Sequence, residues 1–399
     1  MSTPAALFRN AIDLNRFSNG VAKQIVTAYN DLVLDAVDQL RSIDELAAPA
    51  KAARLRAILA QLKQSLEGWA GSSTAIAVTE LQGLAELQSA FVIEELRKAL
   101  PIELRDQIRS VQISPQFARS VATVDPTAIN VVSLSDDLQA AVTGAPQTFS
   151  LTAAQGTAIT LPNGKVLEKS FRGLAVAQAE LFAKTVRNGL LTGESTDKIA
   201  RRLKGRLRFG QRGSVRQVVQ AGGDSTSMAN RQVMAVVRTS INQVANTASQ
   251  QVYEANQDIT SKYRYTATLD SKTSAICRAL DGREFEYGKG PTPPQHFNCR
   301  STTVPVIDYE ALGFTPPKPG KRAAQGGMVP DTQSYGQWLN DQSKEVKADV
   351  LGPEKVPYFN RLAKKYGPTD AIRKFVREDG SELTLEQLRR RYPNGRTAQ

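Results

Sequence analysis

After about residue 258 the spacing of apolar residues changes from a helical to a strand-like period, and that change limits the fold the chain can adopt. Through the first hundred residues apolar side chains recur at steps of three and four, which is typical of one face of an amphipathic helix. We therefore predict helical hairpins or a bundle for residues 1–110, with Pro49 in the first turn of the second helix. One clear stripe consists of Leu55, Ile58, Leu62, Leu66 and Trp69.

A second helical block is predicted from about residue 167 to residue 256. Within it, Gly193 marks the end of one helix and the Ser195-Thr196 pair caps the start of the next. Between the two blocks, residues 111–166 exchange helix formers for Val, Thr, Ser, Gly and Pro. We interpret that segment as an irregular or weakly stranded connector.

After residue 258 the apolar pattern alternates, as expected for half-buried strands. Three short segments, 263–269, 283–287 and 301–307, carry aromatic and β-branched residues in this pattern. The chain is therefore predicted to be mostly α with a small antiparallel β-element, an α+β fold. Beyond it we expect a Pro/Gly linker over residues 313–334 and a helical C-terminal tail over residues 335–399.

The composition excludes several classes of protein. The 399 residues include only two cysteines, too few for a disulfide framework. No apolar run is long enough to span a membrane, and no signal peptide is predicted at the N-terminus. The net charge of +12 favours contact with an acidic partner such as nucleic acid. A solvated basic protein without such a partner is the alternative.

One basic run stands out, because seven cations follow one another without an acidic residue and are interleaved with glycine. A flexible segment of this kind can follow a phosphate backbone, so we predict non-specific DNA contact. A solvated loop remains open as the alternative. The run consists of Arg201, Arg202, Lys204, Arg206, Arg208, Arg212 and Arg216.

The only histidine and both cysteines lie in one short window. Cys277, His296 and Cys299 are ligand types that Zn²⁺ prefers, and Asp270 or water is a candidate fourth ligand. Three interpretations stay open. The residues bind a structural Zn²⁺, they hold a catalytic metal with an open position, or they brace a small β-fold through packing and hydrogen bonds without metal.

The same window resembles a known family. Its residues follow the order Asp-x2-Thr-Ser-x2-Cys from Asp270, then Asp281-Gly282, then Pro-Pro-x-His-x-Asn-Cys-Arg ending at Arg300. This order is similar to the signature of the phage Mu F-like head morphogenesis proteins, also called minor head or minor capsid proteins. The preceding helix with Arg238-Thr239 and the tail that begins at Tyr335 also resemble that family. The resemblance covers roughly residues 167 to 390.

The resemblance implies a Mu F-like domain over residues 167–312 and a structural role without catalysis. It implies a minor head protein of a tailed bacteriophage, assembled in the host cytoplasm and placed in the virion head near the portal. The implied partners are the portal protein, the major capsid or scaffolding protein, and packaged double-stranded DNA bound non-specifically, with no membrane. Some family members carry a Cys-x2-Cys pair in the first loop, where this chain has Ser274 and Cys277.

An enzyme is the competing interpretation, namely a metal-dependent nuclease or another DNA-processing enzyme packaged in the head. Such a nuclease needs a general base and several metal ligands beside the scissile phosphate. With a single histidine the chain lacks that set. We therefore predict that the protein is not an enzyme.

Overall fold

The computed structural model of the chain describes residues 3–43, 46, 48–114, 117, 148–151, 161–204 and 225–393. Most of the predicted connector 111–166 lies outside these residues. Its described part contains β1 (Ser110–Ile113) and β2 (Thr148–Leu151), which pair in parallel. In the described part of the chain, no helix combines the length and the apolar character that a membrane crossing requires.

Among the described residues, five α-helices build the N-terminal two thirds, as the apolar spacing predicts. The stripes of the first hundred residues lie on two of them, and Pro49 is the second residue of the longer one, where its missing N–H breaks no hydrogen bond. Gly193 adopts a φ of +72° between the third and fourth helices. The helices are α1 (Thr3–Arg41), α2 (Ala48–Ala99), α3 (Leu167–Leu191), α4 (Thr196–Lys204) and α5 (Ser225–Ala255).

These five helices share one hydrophobic core. At its centre Trp69 of α2 lies between Tyr29 of α1 and Phe171 of α3, with ring centroids 5.4 and 5.8 Å apart. Its indole Nε1 donates to the carbonyl of Ile25 at 3.0 Å, so the buried polar atom is satisfied. Helices from the 1–110 and 167–312 segments therefore pack as one body rather than as an arm beside a domain.

The predicted small antiparallel sheet is confirmed. Strand β3 (Lys262–Thr266) lies between β4 (Glu284–Glu286) and β5 (Thr302–Val306) and runs antiparallel to both. A short helix, α6 (Ala275–Leu280), fills part of the connection from β3 to β4.

The segment 313–334 differs from the predicted linker, because it contains a β-hairpin. Strand β6 (Lys321–Ala324) pairs antiparallel with β7 (Gly327–Pro330). Gly326 and Gly327 have φ values of +99° and +148°, which side chains disfavour and which permit this tight turn. The hairpin strands carry few β-branched residues, so their sequence gives a weak strand signal.

The helical tail is confirmed and forms a second hydrophobic core with Leu269 of the β-element. Trp338 is its largest buried side chain. Thr384 and Gln387 form a capping box that begins the last helix. The tail helices are α7 (Tyr335–Asn340), α8 (Lys344–Leu351), α9 (Val356–Tyr366), α10 (Pro368–Arg373) and α11 (Leu385–Arg391).

A buried ion pair joins the sheet, the hairpin and the tail. Arg322 of β6 donates to both carboxylate oxygens of Asp281, at 3.2 and 2.9 Å, and the two side chains are 4% and 1% exposed. The same carboxylate accepts from the backbone N–H of Ala267 at 2.7 Å and of Tyr335 at 2.6 Å. Four donors on three separate segments therefore converge on Asp281.

We predict that Asp281→Asn lowers the free energy of unfolding by about 3–5 kcal/mol, because it leaves the Arg322 charge buried without its partner. Urea unfolding followed by circular dichroism measures this loss. The matched control is Asp13→Asn, which breaks an ion pair with Arg16 whose side chains are 77% and 55% exposed for Arg16 and Asp13. The control should change stability by about 1 kcal/mol or less. Equal effects of the two substitutions would refute the assigned role.

Candidate functional site

The structure brings the three predicted soft ligands together. The ligand atoms of Cys277, His296 and Cys299 all lie within 4.8 Å of one another. The two sulfurs are 3.7 Å apart, and Cys277 Sγ is 3.4 Å from His296 Nε2. Within the described residues this is the one group of three or more such side chains that is arranged to hold a metal ion.

Local hydrogen bonds orient Cys277 and His296. Cys277 lies in the first turn of α6, which Ser274 caps by accepting from the Cys277 N–H. His296 Nδ1 lies 2.8 Å from the carbonyl of Phe297. Because a carbonyl only accepts, Nδ1 carries the proton and Nε2 faces the sulfurs with its lone pair.

Two of the three ligand separations are near those of a tetrahedral Zn²⁺ site, and the third, between Cys299 Sγ and a His296 ring nitrogen, lies within 4.8 Å. With Zn–S bonds near 2.3 Å and Zn–N bonds near 2.05 Å, tetrahedral angles require about 3.8 Å between two sulfurs and about 3.6 Å between sulfur and nitrogen. The observed separations of 3.7 and 3.4 Å are close to both. The donor set of two thiols and one imidazole also suits zinc better than harder cations.

Ser274 lies next to these three ligands. Its Oγ is 2.7 Å from His296 Nε2. It occupies the position that carries a cysteine in some proteins that the motif resembles. The chain thus places a hydroxyl where a fourth thiolate would complete a Cys₃His set.

Asp270, the other predicted ligand, is held away from the cluster by Arg300. The guanidinium donates from Nη1 to Oδ2 at 2.5 Å and from Nη2 to Oδ1 at 2.8 Å. Burial would raise the pKa of Asp270, but the hydrogen bonds and charge of Arg300 outweigh burial and lower it. The carboxylate is therefore ionised and already engaged, which the sequence interpretation of Asp270 as a ligand did not anticipate.

The two halves of the motif interlock in three cross-pairs. Asp270 contacts Arg300, Ser274 contacts His296, and Cys277 contacts Cys299. The outermost residues, Asp270 and Arg300, pair with each other, whereas the two inner pairs follow the same order along the chain. The three pairs hold together two segments that β4 separates in the sequence.

Electrostatics within the cluster separate the two cysteines. The hydrogen bond from Cys277 lowers the pKa of the Cys299 thiol well below its usual range, and His296 lowers it further despite burial. The same hydrogen bond, followed by burial, raises the pKa of Cys277. The hydrogen bond to Cys299 also raises the pKa of His296. Hydrogen bonding within the cluster therefore shifts the pKa values of Cys299 and Cys277 in opposite directions and favours the charged form of His296.

Helix α5 supports the motif from behind. Asn298 adopts a left-handed φ of +59°, and its N–H donates to the Thr239 hydroxyl at 3.0 Å. Asn242, one turn later, donates to the carbonyl of Ser301 at 3.0 Å. The sequence analysis associated Arg238-Thr239 with the family but did not foresee this contact, since the two segments are far apart along the chain.

The predicted DNA-binding run lies partly within the described residues. Arg201, Arg202 and Lys204 belong to the end of α4. Arg202 donates to Glu194 at 2.9 Å, and Arg201 lies 3.8 Å from Asp197, so two of the cations have acidic neighbours. The other members of the run, Arg206, Arg208, Arg212 and Arg216, lie outside the described residues.

A family model described as Phage Mu protein F like protein matches residues 180–304. The match covers the end of α3, all of α4, α5, β3 and β4, and both halves of the motif, and it ends within β5. It ends before the hairpin and the tail, so the wider resemblance to residue 390 stays a prediction. No curated protein and no solved structure gives a significant match. Over residues 180–304, this chain is therefore similar to the phage Mu F-like head morphogenesis family.

Proposed function

We propose that this chain is a structural minor head protein of a tailed bacteriophage that acts at the portal or on the inner face of the capsid. Its proposed partners are the portal protein and the major capsid or scaffolding protein. The match of the motif region to the Mu F-like family carries this proposal.

The geometry of the motif supports a structural role. Cys277 and Cys299 are 1% and 3% exposed, and the Asp270 carboxylate is held by Arg300. A hydrolytic site needs a reachable metal position and a free base near the scissile bond. The buried, mutually paired side chains suit a rigid framework better, so no observation favours the nuclease alternative.

Co-expression with the portal and major capsid proteins of the same phage tests the role in assembly. We expect the chain to co-purify with portal or to enter heads, measured by mass spectrometry of isolated particles. Asp281→Asn is an informative comparison, because it weakens the link between domain and tail without altering the exposed surface. Absence of the chain from heads, together with no binding to either protein, would contradict the proposal.

We further propose that the 201–216 run contacts packaged DNA without sequence preference. Replacing Arg202, Arg206 and Arg208 with Gln should reduce the slope of log affinity against log salt by about one per lost phosphate contact. Fluorescence anisotropy with duplexes of two unrelated sequences measures this. The control replaces Arg389, Arg390 and Arg391 of α11, which removes the same charge from another exposed surface. An unchanged slope in the first variant, or equal losses in both, would contradict a specific role for the run.

We also propose that Cys277, His296 and Cys299 bind one structural Zn²⁺, with Ser274 or water as the fourth ligand. The ion would tie α6 to the loop that follows β4 and thereby fix the two halves of the motif. Removing it with a chelator should lower the melting temperature, because metal affinity contributes to folding.

Ser274→Cys gives the sharpest test of the metal proposal. A fourth soft ligand should raise zinc affinity, whereas Ser274→Ala removes the hydroxyl and leaves only the other three ligands. Competition with a chromogenic chelator and metal analysis of the purified protein measure both variants. About one zinc per chain is expected in the unmodified protein. Absence of zinc from both the unmodified chain and Ser274→Cys would establish a metal-free brace.

A further inference from the structure

A large cavity lies between α1, α5 and the second half of the motif. Its volume is about 940 Å³, within the range of small-molecule sites. Helix α1 contributes a stripe with the spacing of a core-facing surface, yet half of that stripe is polar. The stripe consists of Leu7, Asn10, Ala11, Leu14, Asn15 and Ser18.

The charges that line this cavity all have one sign. Lys23 from α1, Arg238 from α5, and Lys272 and Arg300 from the motif are cations, and no aspartate or glutamate occurs among the described lining residues. Asp270 neutralises Arg300. In the described part of the chain no carboxylate forms an ion pair with the other three, so the cavity carries an excess of positive charge.

Among these cations, Arg238 has its guanidinium held by two hydrogen bonds. Its Nε and Nη2 both donate to the amide oxygen of Asn19, at 3.1 and 2.7 Å, which is a neutral partner. Burial, followed by the nearby charge of Arg300, lowers the pKa of Arg238. A half-buried guanidinium without a counter-charge is unfavourable unless an anion supplies one.

We propose that this cavity binds a nucleoside phosphate, with the phosphate toward Arg238, Lys23 and Lys272 and the nucleoside along the partly polar stripe of α1. A phosphate provides the missing charge, and a volume of about 940 Å³ holds a ligand much larger than a bare phosphate. The ligand is either a free nucleotide or the 5′-phosphorylated end of a DNA strand. The inference does not depend on binding to portal or capsid.

Isothermal titration of the full chain tests this proposal with dAMP and deoxyadenosine as probes. We expect dAMP to bind and deoxyadenosine to bind at least about tenfold more weakly, because charge-assisted hydrogen bonds to the phosphate are lost. A single-stranded oligonucleotide with a 5′-phosphate, compared with the same strand bearing a 5′-hydroxyl, distinguishes the two sources. Preference for the phosphorylated strand assigns the strand end, and binding of dAMP without that preference assigns the free nucleotide.

Arg238→Gln should weaken dAMP binding by about 10-fold to 100-fold. Arg231→Gln is the matched control, since Arg231 is an exposed residue two turns earlier on α5 and lies outside the cavity. Lys23→Gln, on an exposed position of α1, provides a second variant if Arg238→Gln does not fold. The proposal requires one of these cavity variants to lose affinity while the control keeps it.

Titration of dAMP into the variant with Arg202, Arg206 and Arg208 replaced by Gln separates binding in the cavity from binding to the basic run. Binding of dAMP should survive in that background. The proposal is overturned if dAMP gives no binding heat, if deoxyadenosine binds equally well, if loss of the basic run abolishes binding, or if folded Arg238→Gln and Lys23→Gln bind as the unmodified chain does.

Discussion

The architecture of the C-terminal half depends on one buried carboxylate, that of Asp281. It accepts hydrogen bonds from Ala267 just after β3, from the start of the tail and from Arg322 of the hairpin. A buried carboxylate is stable only when neighbouring groups pair with it or donate hydrogen bonds to it. The three segments that supply these donors therefore stabilise one another through Asp281. Asp281, in the Asp281-Gly282 pair of the motif, thus links the β-element to the C-terminal tail.

Two sets of contacts hold the motif in place, one between its own two halves and one to helix α5. The cross-pairs Asp270–Arg300, Ser274–His296 and Cys277–Cys299 align its two halves locally. Helix α5 then fixes the whole motif against the helical body through Thr239 and Asn242. The cavity proposed to bind nucleoside phosphate opens where these two sets of contacts meet α1, so its shape depends on the same framework.

Much of this could be predicted from the sequence, because the relevant signals are local. Helices follow from apolar spacing, the three strands from alternation, and the convergence of Cys277, His296 and Cys299 from their confinement to one window. The spacing of the residues could not show that Arg300 forms an ion pair with Asp270, because a residue type alone does not reveal which side chain lies beside it. Nor could it reveal that Arg322 meets Asp281, because the hairpin that carries Arg322 has weak strand propensity. Leu87 of α2 is 73% exposed, which shows that an apolar residue type in a helix does not by itself decide burial.

The two hydrophobic cores each contain one tryptophan, and the chain has only two. Trp69 stands among aromatic rings of the helical body, whereas Trp338 packs beside Tyr335 at the start of the tail. The tryptophan fluorescence of the protein, excited where tyrosine does not absorb, is therefore the sum of two reporters in separate cores. Replacing either indole with phenylalanine would leave a single tryptophan, so the melting of body and tail can be followed one at a time without attaching a dye.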